Sequence, residues 1–189
     1  MRRATLLAIL TLTLLSAARP ASAVDYPLTP DPADCVADPI DVDALIARAD
    51  GVATPAAPTV GRTTRIAPLS TTSALMDAVI GSVACTNAKQ PLRALSYFTE
   101  DYLLHRIGGE PAVTLGHLKA AATRDPDRAA VEDRVTIEVV ENATVWDGGA
   151  EVVMLWSSGE RRLVRTGLRF RDVGGEWKID EVLGDTVDD

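Results

Sequence analysis

The sequence lacks the short motifs that identify most enzymes. It contains no nucleophile elbow, phosphate-binding loop, dinucleotide glycine fingerprint or cluster of metal ligands. Histidine and cysteine occur twice each, and Cys35 and Cys85 have no histidine near them, so they make a poor metal site. We therefore expect no cofactor, and no residue pattern indicates a particular reaction.

Positive charge is also scarce. The chain of 189 residues has 19 Lys and Arg against 27 Asp and Glu, a net charge of −8. Proteins that bind nucleic acids or anionic membranes use clustered Lys and Arg, which release counterions on binding. The charge balance therefore disfavours both classes of partner.

The one long apolar run lies at the N-terminus. Arg2 and Arg3 precede an apolar stretch at 4–18, and the small residues 21–23 follow it. This pattern is typical of a secretory signal peptide, here residues 1–23 with cleavage after Ala23. The run of about 15 residues is shorter than the roughly 20 that span a bilayer. We expect a soluble secreted or extracytoplasmic protein with no stable membrane insertion, whose net charge after loss of three arginines is −11, from 16 basic and 27 acidic residues.

Export favours a disulfide between Cys35 and Cys85, because thiols oxidise outside the cytoplasm. The bond would close a loop of about 51 residues and stabilise the fold by about 4 kcal/mol in the chain-entropy model. The alternative is one buried thiol and one idle thiol in a loop.

The mature chain divides by composition into an extension, a domain and a tail. Residues 24–69 hold seven of the eleven prolines, which predicts an extension with one short helix capped by Asp41 and an extended linker at 52–69. Residues 70–184 have regular apolar periodicity and form the predicted domain. Residues 185–189 are a short acidic tail.

From Ser70 the apolar residues recur at helical spacing. Leu75, Val79 and Val83 form one stripe, which predicts a helix that faces the core. Further helices are predicted to start near Pro91, Thr99 and Thr114.

Four strands follow, separated by turn signals at 147–148, 158–160 and 174–175. Alternation along these strands predicts one apolar face that the helices must cover. The predicted pairs are Trp146 with Gly149, Phe170 with Ile179, and Leu168 with Glu181. The positions predicted to face the helices include Val135, Ile137, Val139, Glu141, Ala143, Val145, Ala150, Val152, Met154, Trp156, Val164, Thr166, Leu168, Phe170 and Glu181.

The segments 92–95, 98–102 and 175–180, together with the order of helices before a strand meander, resemble the nuclear transport factor 2-like superfamily. The first two are similar to the second-helix region of its SnoaL-like branch. The resemblance covers about 70–184. It implies an α+β cone in which N-terminal helices pack on a curved four-stranded antiparallel sheet, often with a pocket at the open end. Members include ketosteroid isomerases, polyketide cyclases and dehydratases, and domains without catalysis, so the fold alone does not decide the function.

Two glutamates are the main candidates for chemistry. Glu141 and Glu181 occupy inward positions by alternation, and a carboxylate held among Met154 and Trp156 would have a raised pKa and act as a general acid or base. The alternative is that a bulge turns Glu141 outward and that Glu181 lies in water at the rim of the sheet.

Three helical residues complete the pocket candidates. Tyr97, Tyr102 and His105 lie on the segment that borders the pocket in the superfamily, where a tyrosine can donate to a developing enolate. Isomerases of this fold use a strand aspartate as base, whereas Asp180 is predicted to point to the other face. We therefore assign no catalytic residue.

The favoured hypothesis is an exported, non-catalytic nuclear transport factor 2-like domain that binds a small apolar or amphipathic ligand or a protein partner. The alternative is a SnoaL-like isomerase, cyclase or hydratase that uses a pocket glutamate. A third possibility is a homodimer formed through the sheet, because Val140, Val153 and Leu155 are predicted to point away from the helices.

Overall fold

The structure, a computed structural model, describes residues 26–49, 63–106, 116–117, 119–120, 133–141, 143–159 and 161–187. The predicted signal peptide, most of the predicted linker and most of the helix expected from Thr114 lie outside the described residues. The described chain is α+β, with a few helices and an antiparallel sheet.

The described helices start where the sequence offers caps or proline. α1 (Val42–Ala49) is capped by Asp41, whose Oδ1 accepts a hydrogen bond of 3.0 Å from the Ala44 amide. α2 spans Leu69–Asn87, contains the predicted stripe of Leu75, Val79 and Val83, and follows Pro68. α3 (Pro91–Ala94) begins with proline, and the hydroxyl of Thr99 accepts from the Tyr102 amide at the start of α4 (Glu100–Arg106). The predicted cap of α1 and the predicted starts of α3 and α4 are confirmed.

The sheet has six strands, all antiparallel: β1 (Arg65–Ile66), β2 (Val135–Val140), β3 (Thr144–Trp146), β4 (Gly149–Ser158), β5 (Arg161–Val173) and β6 (Glu176–Val187). Their order is β1-β3-β4-β5-β6, and β2 pairs with β4 beside β3. The prediction of four strands is wrong for two reasons. The expected first strand is broken into β2 and β3, and residues from the extension add β1.

Register shifts decide which side chains face the helices. The pairs Trp146–Gly149 and Phe170–Ile179 are confirmed. Between Ile137 and Val139 one extra residue bulges from β2, and the register also shifts between β5 and β6 beside Asp180. Because a slip of one residue exchanges the two faces of a strand, Val139, Glu141 and Glu181 point away from the helices, opposite to the prediction. Val140, which was predicted to point away, packs against the core instead, whereas Ala143 and Val145 are buried in the core as predicted.

The helices cover one face of the sheet, which we call the inner face. Leu75 and Val79 of α2 pack there against Ile137, Phe170 and Ile179, and all five are at most 2% exposed. The other face is called the outer face. α2 is long and apolar enough to span a membrane by length and composition, but these contacts make it a core helix of the described fold.

The extension packs against the domain. Cys35 and Cys85 form a disulfide, as predicted. Leu28 pairs with Ile137 at the edge of β2, and the buried Asn87 side chain donates to the carbonyls of Pro30 and Val135 and accepts from the Val135 amide. Residues 26–49 are thereby fixed to α2 and to the edge of the sheet.

Candidate functional site

A cleft of about 600 Å³ opens between α1, the start of α4 and the β5–β6 hairpin. One wall is the segment 38–41 and α1. The opposite wall is the hairpin around Arg171–Val173, and residues 98–103 lie between the two walls. The disulfide fixes Cys35 just before the first wall, and the Ile40 amide donates to the Leu92 carbonyl at 3.1 Å. The cleft is therefore built on anchored segments.

The floor of the cleft is apolar. Leu45 and Leu103 line the cleft but are only 2% and 3% exposed, because α1 and α4 pack on each other there. The apolar lining residues that remain partly exposed include Ile40 and Phe98. Phe98 lines the cleft and stacks on Tyr102, with ring centroids 5.6 Å apart. Val173 stands at the lip with 45% exposure. An apolar side chain entering the cleft would therefore meet an apolar surface, which favours its transfer from water.

Charged side chains line the rim, and each of its three cations already has an internal acceptor. Arg48 binds Glu100 through two bonds of 2.6 and 2.9 Å. Arg171 binds Asp101 at 2.9 Å and Asp180 at 2.8 Å, and Lys178 donates to the Ser96 carbonyl at 3.0 Å.

The two ion pairs of Arg171 also shift its pKa. Partial burial lowers the pKa of Arg171, but the bonds to Asp101 and Asp180 outweigh that effect and raise it. The guanidinium therefore stays charged and neutralised in place, and the rim offers no unbalanced positive charge for an anion.

Carboxylates outnumber cations at the rim. Three basic side chains line the cleft, Arg48, Arg171 and Lys178. Five acidic side chains line it: Asp38, Asp41, Glu100, Asp101 and Asp172. The carboxylates of Asp41 and Asp172 accept hydrogen bonds from the amides of Ala44 and Gly175 at 3.0 and 2.7 Å. Asp38 is exposed and makes no hydrogen bond or ion pair with the described residues. The excess negative charge favours a cationic group at the mouth of the cleft.

The two predicted acid–base residues lie elsewhere. The bulge in β2 turns Glu141 to the outer face, where it binds Arg165 at 2.9 Å and both side chains are 44% exposed. The shift beside Asp180 places Glu181 opposite Arg169 rather than Leu168, and the two side chains bind at 2.6 Å. The prediction that both glutamates face inward is wrong, because each follows an inserted residue in its strand.

The remaining candidates belong to β4 and to the segment 97–105. Met154 and Trp156 face inward as predicted, and the Trp156 indole donates to the Thr166 hydroxyl at 2.9 Å. Tyr97 packs over Gly81 of α2, where an added Cβ would meet its hydroxyl at a clashing distance, and burial raises the pKa of Tyr97. Tyr102 stacks on Phe98, and His105 belongs to α4. The structure does not bring Met154, Trp156, Tyr97 or Tyr102 together with Glu141 or Glu181, which bind Arg165 and Arg169 on the outer face.

The cleft itself was not predicted. The sequence identifies Asp41 and Thr99 only as helix caps. Asp180 was expected on the other face of the sheet, but it is the extra residue of β6 and its carboxylate binds Arg171 at the rim. Within the described part of the chain, no group of three or more His, Cys, Asp or Glu side chains could hold a metal ion.

The chain shows no significant match to any known protein family model, to any curated protein or to any solved structure.

Proposed function

We propose that this protein is an exported, non-catalytic interaction domain whose cleft binds a cationic, amphipathic segment of a protein partner. The observation that carries the proposal is the combination of partly exposed apolar lining residues, Ile40, Phe98 and Val173, with a carboxylate excess at the rim. The engagement of Glu141 and Glu181 by arginines on the outer face supports a role without acid–base catalysis.

The finer fold assignment is part of the same proposal. A nuclear transport factor 2-like cone is supported by the chain order, in which α2, α3 and α4 precede the strands β2 to β6, and by the placement of α2 on one face of the sheet. Register shifts in β2 and between β5 and β6 also favour a bent sheet, because bulges bend strands.

Export is supported by two independent features. The N-terminal pattern of Arg2, Arg3 and an apolar run is typical of a signal peptide. The Cys35–Cys85 disulfide is compatible with an oxidising compartment.

The chemistry of the cleft defines what a partner should carry. An aliphatic or aromatic side chain would contact Ile40, Phe98 and Val173, and a Lys or Arg beside it would reach Asp38 at the mouth. An anionic segment would instead meet carboxylates whose nearest cations are already paired, a like-charge contact that disfavours binding.

The test is selection from a random peptide library displayed on phage against the mature chain, residues 24–189. Enriched peptides should combine Lys or Arg with Leu, Ile or Phe. The best peptide, made synthetically, is then titrated by fluorescence anisotropy. Val173→Lys at the lip should weaken its affinity about tenfold or more, because it removes apolar contact and adds a repelling charge.

The matched control is Val36→Lys, because Val36 is 78% exposed and does not line the cleft. Its affinity should equal that of the parent chain. Failure to enrich any peptide, or equal binding by the Val173→Lys variant, would overturn the proposed function.

A further inference from the structure

Trp146 lies on the outer face of the sheet. Its neighbour Val145 is 6% exposed and belongs to the core, so the alternation of β3 turns Trp146 to the opposite face. Trp156 and Trp177 pack against the core, whereas Trp146 is not among the described side chains that do so. Trp146 is also partly exposed. A tryptophan in this position has an apolar surface that a partner can cover, and tryptophan is enriched among the residues that dominate binding at interfaces.

Gly149 holds the indole of Trp146 against the sheet. The two residues are register partners in β3 and β4. A Cβ built at position 149 would lie 2.6 Å from Cζ2, 2.7 Å from Cε2 and 2.8 Å from Nε1 of the indole. A side chain at this position would therefore displace the ring, and the glycine beneath it is buried. The backbone covers one side of the indole, so its partly exposed surface is on the other side, away from the sheet.

A row of outer-face residues connects Trp146 with the cleft. The register of β4 and β5 places Arg171 beside Gly149, and Arg171 pairs with Lys178 of β6. Arg171 and Lys178 both line the cleft. We call Trp146, Gly149, Arg171 and Lys178 the outer row. Neighbouring strands are about 4.8 Å apart, so Trp146 and Arg171, which are two strands apart, are separated by about 10 Å.

The surroundings of the indole carry surplus negative charge. Asp147 follows Trp146 in an exposed turn. Glu151 of β4 lies on the same face and shares Arg169 with Glu181, at 3.2 and 2.6 Å. One guanidinium against two carboxylates leaves a net negative charge. The face of an indole ring also attracts cations, through its quadrupole. The ring and the carboxylates near it therefore favour the same chemical group.

We propose that the partner segment bound in the cleft continues along the outer row and places a second Lys or Arg side chain on the Trp146 indole. This inference rests on the proposed function and names a second contact of the same partner. Arg171 does not repel that cation strongly, because its charge is balanced by Asp101 and Asp180. Extended chain advances about 3.3 Å per residue, so a segment that leaves the cleft at Arg171 reaches the indole in about three residues.

The test titrates the best peptide from the phage selection against variants of the mature chain by fluorescence anisotropy. Trp146→Leu keeps an apolar side chain but removes the aromatic face, and should weaken the affinity about two- to fivefold. Asp147→Lys should weaken it by a similar factor, through repulsion of the second cation. Asp77→Lys is the matched control, because it makes the same charge change at an exposed position of α2, and it should bind as the parent chain does.

Substitutions in the peptide identify the group that contacts the indole. Each Lys is replaced in turn by norleucine and each Arg by citrulline, which remove the charge and keep the length of the side chain. At one of these positions the loss should be about two- to fivefold with the parent chain and absent with Trp146→Leu. If Trp146→Leu is coupled only to an apolar residue of the peptide, the contact is hydrophobic and the proposal is wrong.

A spectroscopic measurement gives a second readout on the parent chain. The indole N–H signal of Trp146, assigned by its absence from the spectrum of Trp146→Phe, should shift in ¹⁵N–¹H spectra when the peptide saturates the chain. The signal of Trp156, which donates to Thr166 on the inner face, should shift less. A Trp146 signal that stays in place would overturn the proposal, even if Trp146→Leu does not fold.

The outcomes separate this inference from the proposed function. If Val173→Lys weakens the peptide and Trp146→Leu binds it as tightly as the parent chain, the second contact is overturned and the proposed function stands. If the selection enriches no peptide, both are overturned.

Discussion

The two faces of the sheet are built from the same strands yet differ in chemistry. On the inner face, Val152, Leu168, Phe170 and Ile179 are at most 4% exposed and pack under α2. On the outer face, ion pairs centred on arginines of β5 alternate with partly exposed apolar side chains. Side chains of neighbouring residues in a strand point to opposite faces, so the register alone decides which set a residue joins.

Inserted residues, more than composition, therefore determine on which face Glu141 and Glu181 lie. Glu141 and Glu181 are one residue out of phase with the apolar alternation that precedes them, and both end in ion pairs with arginines. Had the register held, each would be a buried carboxylate beside apolar side chains, which costs several kcal/mol without a partner.

Valine-to-alanine substitutions on the two faces should differ most in their cost. Val152→Ala removes two methyl groups from a site that is 1% exposed, and should lower the free energy of unfolding by about 2–3 kcal/mol through lost burial and a cavity. Val139→Ala on the outer face should cost less than about 1 kcal/mol. Urea denaturation of both variants measures the difference, and equal losses would show that the outer face is covered as fully as the inner one.

A smaller effect tests the polar contact on the inner face. Thr166→Val keeps the shape of a side chain that is 4% exposed but leaves the Trp156 indole without its 2.9 Å acceptor. We expect a loss of about 1–2 kcal/mol in the free energy of unfolding. In the Trp156→Phe background, which lacks the donor, the same change should cost less than it does in the parent chain. A full loss in both backgrounds would mean that the hydrogen bond contributes little.

On the outer face the effects should be smaller still and sensitive to salt. Glu181→Gln removes one of two carboxylates from Arg169, and should cost about 0.5–1 kcal/mol at low ionic strength and less at high. Glu176→Gln is the matched control, because Glu176 is 78% exposed and lies 3.7 Å from Lys178. It should be close to neutral, and denaturation curves at two salt concentrations check both variants.

The smallest effect is a dependence on alkaline pH. Burial raises the pKa of Tyr97 above its ordinary value of 10.0 in the folded chain. The folded state thus favours the neutral phenol, so this contribution is fully present below pH 10 and is lost as pH rises through the raised pKa. Tyr97→Phe should flatten the fall of the unfolding free energy above pH 10, and Tyr26→Phe should act in the same direction. If the unfolding free energy of the Tyr97→Phe, Tyr26→Phe double variant falls as steeply above pH 10 as that of the parent chain, the two tyrosines do not cause the fall.

The elements that carry local signals were predictable from the sequence. The stripe of Leu75, Val79 and Val83 predicted α2, the turn at 147–148 predicted the register of β3 and β4, and the two cysteines predicted the disulfide. In each case the signal lies in adjacent residues or in chemistry that depends little on context.

The misplaced residues depend on information that is not local. Nothing in residues 135–141 marks Glu138 as the inserted residue, since the bulge follows from the pairing of β2 with β4. The cleft brings together residues 38–48, 96–103 and 171–178, which are far apart in the chain. Its apolar floor forms only when α1 and α4 pack, so no single segment of the sequence could indicate it.

The Cys35–Cys85 bond has a practical consequence for anyone who purifies this protein. It closes a covalent ring that contains α1, β1 and most of α2. A single proteolytic cut anywhere from 36 to 84 would leave two fragments joined through sulfur, and the nicked protein would keep its mass apart from one added water. Gels run without reductant would show one band, so the integrity of the backbone has to be judged after reduction.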